Sequence, residues 1–173
     1  MTVIEFESDF TGTASNTIKM VYSGLVAVNR GNNTRITGCQ NLADIVINTQ
    51  GNTQINCVAG IATYNVATIE YCQSGSASVI NTLKVVGDGG SVSTHIAAIA
   101  NINHGQGASI RNCENYSNVT VEATQADGWN VALAGIFDYQ TGNQQDNINH
   151  NYTETTASAL GVGNLRQGEI YIA

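Results

Sequence analysis

The sequence predicts an all-β protein, a parallel β-solenoid of four to five coils with three short strands per coil. Three observations carry this. A residue pattern recurs at intervals of 36, 38 and 37 positions, the signature of a repeat architecture. The composition is poor in strong helix formers and rich in Ile, Val, Thr and Asn, which favours strands and turns. Proline is absent from all 173 residues, as expected where every strand must donate backbone hydrogen bonds to a neighbouring coil.

The first repeated element is [Gly/Ala]-[Leu/Ile], at Gly24-Leu25, Gly60-Ile61, Ala98-Ile99 and Gly135-Ile136, with a weaker copy at Gly161-Val162. The second follows 11, 8 and 11 residues later: Ile36–Asn41, Ile69–Ser74 and Ile110–Asn115, each with a cysteine in fourth place. Ile148–Asn151 reads as a degraded fourth copy. The third element supplies β-branched pairs, Ile45 and Ile47, Val79 and Ile80, Val119 and Val121. Gly-, Asn- and Gln-rich stretches (RGNN, GDGG, HGQG, TGNQQ) separate the elements and read as turns. Three short strands per repeat without helices suit one coil per repeat, stacked into parallel sheets. An antiparallel sandwich also has many short strands, but has no reason to repeat a pattern at this interval.

These elements divide the chain into N-terminal cap strands over 1–22, repeats over 23–140, and a degenerate last coil with a C-terminal cap over 141–173. Strands are expected over Thr2–Glu7 and Thr17–Tyr22, covering the otherwise unpaired edge of the first coil. Asparagine tolerates positive φ, and its amide bonds well to a copy of itself one coil away. Asn29, Asn65 and Asn103 form the expected ladder, with Gln140 as end member.

The first strand of each repeat is apolar on both faces. One parity set, Tyr22, Gly24, Val26 and Val28 with its equivalents through Tyr139, is entirely apolar or small and is assigned inward. The opposite set then stacks Leu25, Ile61, Ile99 and Ile136 as an aliphatic ladder on the outside. A strand apolar on both faces is normally covered on both. Three readings stay open: a terminal segment covers this face, the parity is inverted, or the ladder is an interface with another subunit or a neighbouring domain. On the interface reading, Ile61→Asp and Ile99→Asp would give a smaller species that stays folded.

Net charge is −7 and the six basic residues are scattered, which argues against nucleic-acid binding. No run of 18 apolar residues occurs, so no membrane-inserting helix is expected. The N-terminal MTVIEFESDFTG lacks the pattern of a signal peptide. It reads as a chain not exported by that route, or as a domain excised from a longer exported protein.

Chemistry-bearing motifs are sparse. Cys39, Cys72 and Cys113 hold the same place in successive repeats and are expected to stack in the interior as structural thiols, with Cys57 elsewhere. No pair has zinc spacing, and no metal or other cofactor is expected. His95, His104 and His150 form no cluster motif. Polysaccharide cleavage would need two acids flanking the bond. Glu70, Glu114, Glu122, Asp127 and Asp138 are the candidates, and no pair stands out, so the chain is expected not to be an enzyme. Trp129 in the turn Asp127-Gly128-Trp129 is the candidate for stacking on a sugar ring, against the plainer reading of a loop aromatic folded onto the rod.

Gly24–Asn29 (GLVAVN) followed by Ile36–Asn41 (ITGCQN) resembles the GLUG-type repeat of bacterial surface proteins, a G-[GL]-[LI]-V-G-Y-N stretch followed by G-T-I-x-N-C and a G-x-V strand. Val58–Asn65 (VAGIATYN) and Ser109–Val121 (SIRNCENYSNVTV) match it best, and the resemblance covers about residues 22–140. The chain departs from the pattern in its longer intervals, in Ala98 where glycine is usual, and in a fourth unit without cysteine. The resemblance implies a β-solenoid on secreted or cell-surface proteins, serving as a stalk or adhesive spacer and carrying no catalytic residues. The expected function is therefore a non-catalytic surface or adhesion module, extracellular, with a glycan or host-surface ligand. The alternatives are a phage fibre or spike segment in a virion, with the aliphatic ladder buried against symmetry mates, and a small polysaccharide-active β-helix.

Overall fold

A computed structural model of the chain describes residues 3–9, 18–31, 33–50, 54–87, 93–123, 129–140, 142–150 and 162–170. Every regular element among them is a strand, and the ladders between strands are parallel. β1 (Val3–Asp9) precedes the first coil. That coil comprises β2 (Ile18–Ser23), β3 (Val26–Asn29), β4 (Arg35–Thr37), β5 (Gln40–Asn41) and β6 (Asp44–Gln50). The second comprises β7 (Gln54–Ala59), β8 (Ala62–Asn65), β9 (Thr68–Glu70), β10 (Gln73–Ser74) and β11 (Thr82–Gly87). The third comprises β12 (Ser93–Ala97), β13 (Ala100–Asn103), β14 (Ser109–Arg111), β15 (Glu114–Asn115) and β16 (Asn118–Ala123). The fourth has β17 (Trp129–Gln140), β18 (Asn143–Gln145) and β19 (Ile148–Asn149), and β20 (Val162–Ile170) pairs onto β17.

Equivalent strands stack in register into four sheets, ordered β1-β6-β11-β16, β2-β7-β12-β17-β13-β8-β3, β4-β9-β14-β18 and β5-β10-β15-β19. This is the parallel solenoid that the repeat pattern predicts. Its coil has five short segments rather than three, because two of the expected strands are broken. The first breaks at Gly24-Leu25, Gly60-Ile61 and Ala98-Ile99, whereas β17 runs on through Gly135-Ile136. A Cβ on Gly60 would lie 2.2 Å from Ser74 Oγ and 2.3 Å from the Ala98 carbonyl oxygen, so the bend brings two walls of the rod together there. The second breaks at a left-handed residue, Gly38, Tyr71, Asn112 and Asp146 in successive coils, with φ of 64°, 55°, 51° and 52°. β1 and β2 are themselves rungs of these sheets, in register with β6 and β7.

The first bend corrects the inward assignment. Tyr22, Val58, Ile96 and Leu133 do point inward and pack with Ile45, Ile47, Leu83, Val85, Val119 and Val121. Past the bend the alternation resets. Ile61, Ile99 and Ile136 are fully buried in a second cluster with Ile69, Ile110, Cys72 and Cys113. Val28, assigned inward, is 54% exposed, and Tyr64 and Ile102 are half-buried. The aliphatic ladder thus belongs to the chain's own core, and an aspartate at Ile61 or Ile99 would enter that core rather than an interface. Leu25 alone of the four is exposed, since it lies in the bend between β2 and β3, the two edge strands of its sheet.

Register also moves two repeat elements. The third-element partners of Ile45 and Ile47 are Leu83 and Val85, while Val79 and Ile80 are exposed. The second coil carries five extra residues between β10 and β11, and Ser76 and Val79 close a small loop there. In the fourth coil Gln144 pairs with Ile110 and Asn149 with Asn115, so the second element lies at Gln144–Asn149, four residues earlier than Ile148–Asn151.

Candidate functional site

The side chains able to do chemistry lie in columns that run from coil to coil, and each column follows from the register. On the sheet of β4, β9, β14 and β18, the alternate positions Ile36, Ile69 and Ile110 face the core, which turns Thr37, Glu70 and Arg111 the other way. Glu70 is buried and its carboxylate is gripped from both neighbouring coils. Arg35 Nη1 approaches Oε1 at 3.0 Å, while Arg111 donates to Oε2 through Nε at 2.8 Å and Nη2 at 2.6 Å. A buried carboxylate needs such partners. Held between two guanidiniums, it ties three successive coils together.

Glu114 lies on the next sheet, in the row Gln40, Gln73, Glu114 and Ile148. Gln40 donates to Gln73 at 2.7 Å, and Gln73 donates to Glu114 at 3.3 Å. The Tyr116 hydroxyl donates to the same Glu114 oxygen at 2.7 Å, and His150 Nε2 lies 3.2 Å from it. The Tyr116 and His150 rings stack at 4.1 Å. The hydrogen bond to Glu114 holds the Tyr116 phenol above its ordinary range. Glu70 and Glu114 therefore sit on different sheets, each with its own partners. Glu122 pairs with Lys84 at 2.5 Å. Asp127 and the side chain of Asp138 lie outside the described residues, as does the side chain of Trp129.

Two amide columns flank the core. Asn29 donates to Asn65 at 2.7 Å and Asn65 to Asn103 at 2.8 Å, all three buried. Asn103 then donates to the Asn143 carbonyl at 3.0 Å, while Gln140 pairs with Asn103 through the backbone and its side chain lies outside the described residues. A second column of Asn41, Ser74, Asn115 and Asn149 stacks behind the bend glycines, with Asn115 donating to Asn149 at 2.7 Å. Sequence reasoning missed this second column. Its signal was the Asn or Ser two places after each cysteine position.

The left-handed corner sets Cys39, Cys72 and Cys113 in line at its inner side, with Asn147 in the fourth coil. All four cysteines are free thiols, and only Cys39 among them is partly exposed. The Cys113 thiol hydrogen-bonds Cys72, which raises Cys113 above the ordinary thiol range and lowers Cys72 to about 7, while burial pushes Cys39 up. Among the described residues, no three His, Cys, Asp or Glu side chains are placed to hold a metal ion.

An open feature interrupts the turn edge of the rod among the described residues. The connection from β8 to β9 has two residues, whereas those from β3 to β4 and β13 to β14 have five each. The missing residues leave a cleft of about 390 Å³ between the flanking turns, lined by Asn33, Thr34, Arg35, Val66, Thr68 and Gly107 among others. The 8-residue spacing between Ile61 and Ile69, against 11 in its neighbours, was the sequence signal for it.

Set against known proteins, the chain matches no family model, no curated protein and no solved structure. The likeness to GLUG-type repeats rests on its motif residues alone.

Proposed function

We propose that the chain is a non-catalytic β-solenoid module of a bacterial surface or adhesion protein, a rigid spacer with recognition confined to its turn edge. The observation that supports this most is the condition of Glu70. Among the described residues the most deeply placed acid is locked by Arg35 and Arg111 across three coils, as a structural element rather than a reagent. Stacked rungs and amide ladders serve stiffness. On this reading the turn-edge cleft is where a host-surface glycan would sit, offering amide, hydroxyl and guanidinium groups to sugar hydroxyls. The virion alternative loses the argument from an exposed aliphatic ladder, because Ile61, Ile99 and Ile136 are core residues. The test is incubation of the purified chain with a panel of bacterial and host polysaccharides, scoring both retention and release of reducing ends. The module reading expects no release. Release that disappears in Glu114→Gln would replace it with the polysaccharide-cleaving alternative.

A further inference from the structure

The thiol column carries an inference beyond this reading. Cys39 and Cys72 occupy the same position in adjacent coils: the flanking pairs Thr37 with Glu70 and Gln40 with Gln73 are in register, and Gln73 N–H donates to the Cys39 carbonyl at 2.9 Å. Adjacent parallel strands hold such residues about 4.8 Å apart at Cα, inside the range that a disulfide spans. The Cys72 thiol reaches toward the first coil, donating to the Ile36 carbonyl at 3.7 Å, while the Cys39 thiol donates to the neighbouring Thr37 carbonyl at 3.5 Å. Exposure divides the column sharply. Cys39 is partly open to solvent in the edge coil, whereas Cys72 and Cys113 are fully buried.

We propose that Cys39 and Cys72 form an oxidisable pair in which a peroxide reaches Cys39 and a disulfide to Cys72 latches the first coil onto the second. The Cys39 thiol, the one of the pair open to solvent, gives up its proton as its sulfur attacks one peroxide oxygen. The O–O bond breaks, Cys39 becomes a sulfenic acid and one water leaves. The Cys72 sulfur then displaces the hydroxyl from Cys39; the S–S bond forms and a second water leaves with the Cys72 proton. In total two thiols and one hydrogen peroxide give one disulfide and two waters. Cys72 is placed to resolve the sulfenic acid because it holds the same position as Cys39 in the adjacent coil. Cys113 lies one coil deeper and stays reduced.

The latch gives the edge coil two states. Reduced, β3 to β5 are held to the second coil by backbone ladders and the Asn29 and Gln40 side chains. Oxidised, a covalent bond closes the chain between positions 39 and 72, which restricts the unfolded ensemble.

The experiment treats the folded chain with a modest excess of hydrogen peroxide, quenches in acid, alkylates free thiols and maps peptides by mass spectrometry. The expected result is a Cys39–Cys72 cross-linked peptide, with Cys57 and Cys113 alkylated. The oxidised chain should also unfold at higher urea concentration, an effect reversed by dithiothreitol. Cys39→Ser should form no internal disulfide under the same treatment. The proposal is overturned if all four wild-type thiols remain alkylatable, if Cys39 appears as sulfinic acid with Cys72 free, or if Cys39 bonds to a second chain. A Cys72–Cys113 bond forming equally well in Cys39→Ser would overturn it too, since the oxidant would then bypass Cys39. Should Cys39→Ser fold poorly, the wild-type map decides alone.

Discussion

Arg111 holds the buried carboxylate of Glu70 through two nitrogens on one oxygen, Nε at 2.8 Å and Nη2 at 2.6 Å, across the gap between two coils. Arg35 holds the other oxygen from the coil on the opposite side. Removing one arginine leaves a carboxylate that is desolvated and only half compensated. Arg111→Met is therefore expected to destabilise the chain by about 2 kcal/mol, a figure already reduced for the partial exposure of the arginine. Urea denaturation measures it. An unchanged midpoint would mean that the triad is only a surface ornament.

The asparagine ladder makes a graded prediction. Asn65 bonds to Asn29 and Asn103 through its amide, and it also closes its own corner by accepting from Ala67 N–H at 3.3 Å and donating to the Ala67 carbonyl at 2.9 Å. Asn65→Ala should cost about 2–4 kcal/mol, and Asn29→Ala at the end of the ladder about half that. Thermal or urea unfolding of the two variants compares them, and equal losses would contradict a coil-to-coil ladder.

Tyr71 is the misfit of the left-handed corner. Its equivalents are Gly38, Asn112 and Asp146, all residue types that accept positive φ, whereas Tyr71 holds φ 55° with its side chain 61% exposed. The conformation costs a β-carbon-bearing residue about 1–2 kcal/mol. Tyr71→Asn should raise stability by about 1 kcal/mol, read as a higher melting temperature. A lower one would show that the tyrosine ring contributes more than its backbone strain removes.

The Tyr116 phenol titrates above its ordinary range because it donates to Glu114. A raised folded-state value means that the protonated form is favoured by folding. Its contribution is thus fully present below the ordinary phenol range and is lost as pH rises through the folded value. The difference in near-ultraviolet titration between wild type and Tyr116→Phe isolates this group, and Glu114→Gln should return it to the ordinary range. A Tyr116 that titrates normally in wild type would refute the contact.

Much of this was legible in the sequence, and what was not has a common cause. The interval between Gly24, Gly60, Ala98 and Gly135 gave the stacking, and Asn29, Asn65 and Asn103 gave the ladder, because a register repeated at fixed spacing is a one-dimensional property. The broken strands were not legible. Strict alternation through Gly60-Ile61 assumes one continuous strand, and the bend, fixed by the approach of Ser74 and the Ala98 carbonyl from elsewhere in the rod, turns Ile61 inward. Insertions misled in the same way. Val79 and Ile80 look like the third element, but the loop closed by Ser76 and Val79 displaces them in favour of Leu83 and Val85. The partners of Glu70 could not be foreseen, since Arg35 lies diagonally across the ladder at a different place in its own repeat.

The central claim is that each repeat is one complete coil whose neighbours are interchangeable in register. Deleting residues 60–97 joins Ala59 to Ala98, the position stacked on Gly60, and removes one whole coil. Circular dichroism and urea denaturation of that variant are the measurement. The account predicts a chain with the same strand signature and a cooperative transition, at a lower midpoint because Glu70 no longer separates Arg35 from Arg111. A chain without ordered strands, or one that unfolds without cooperativity, would contradict it.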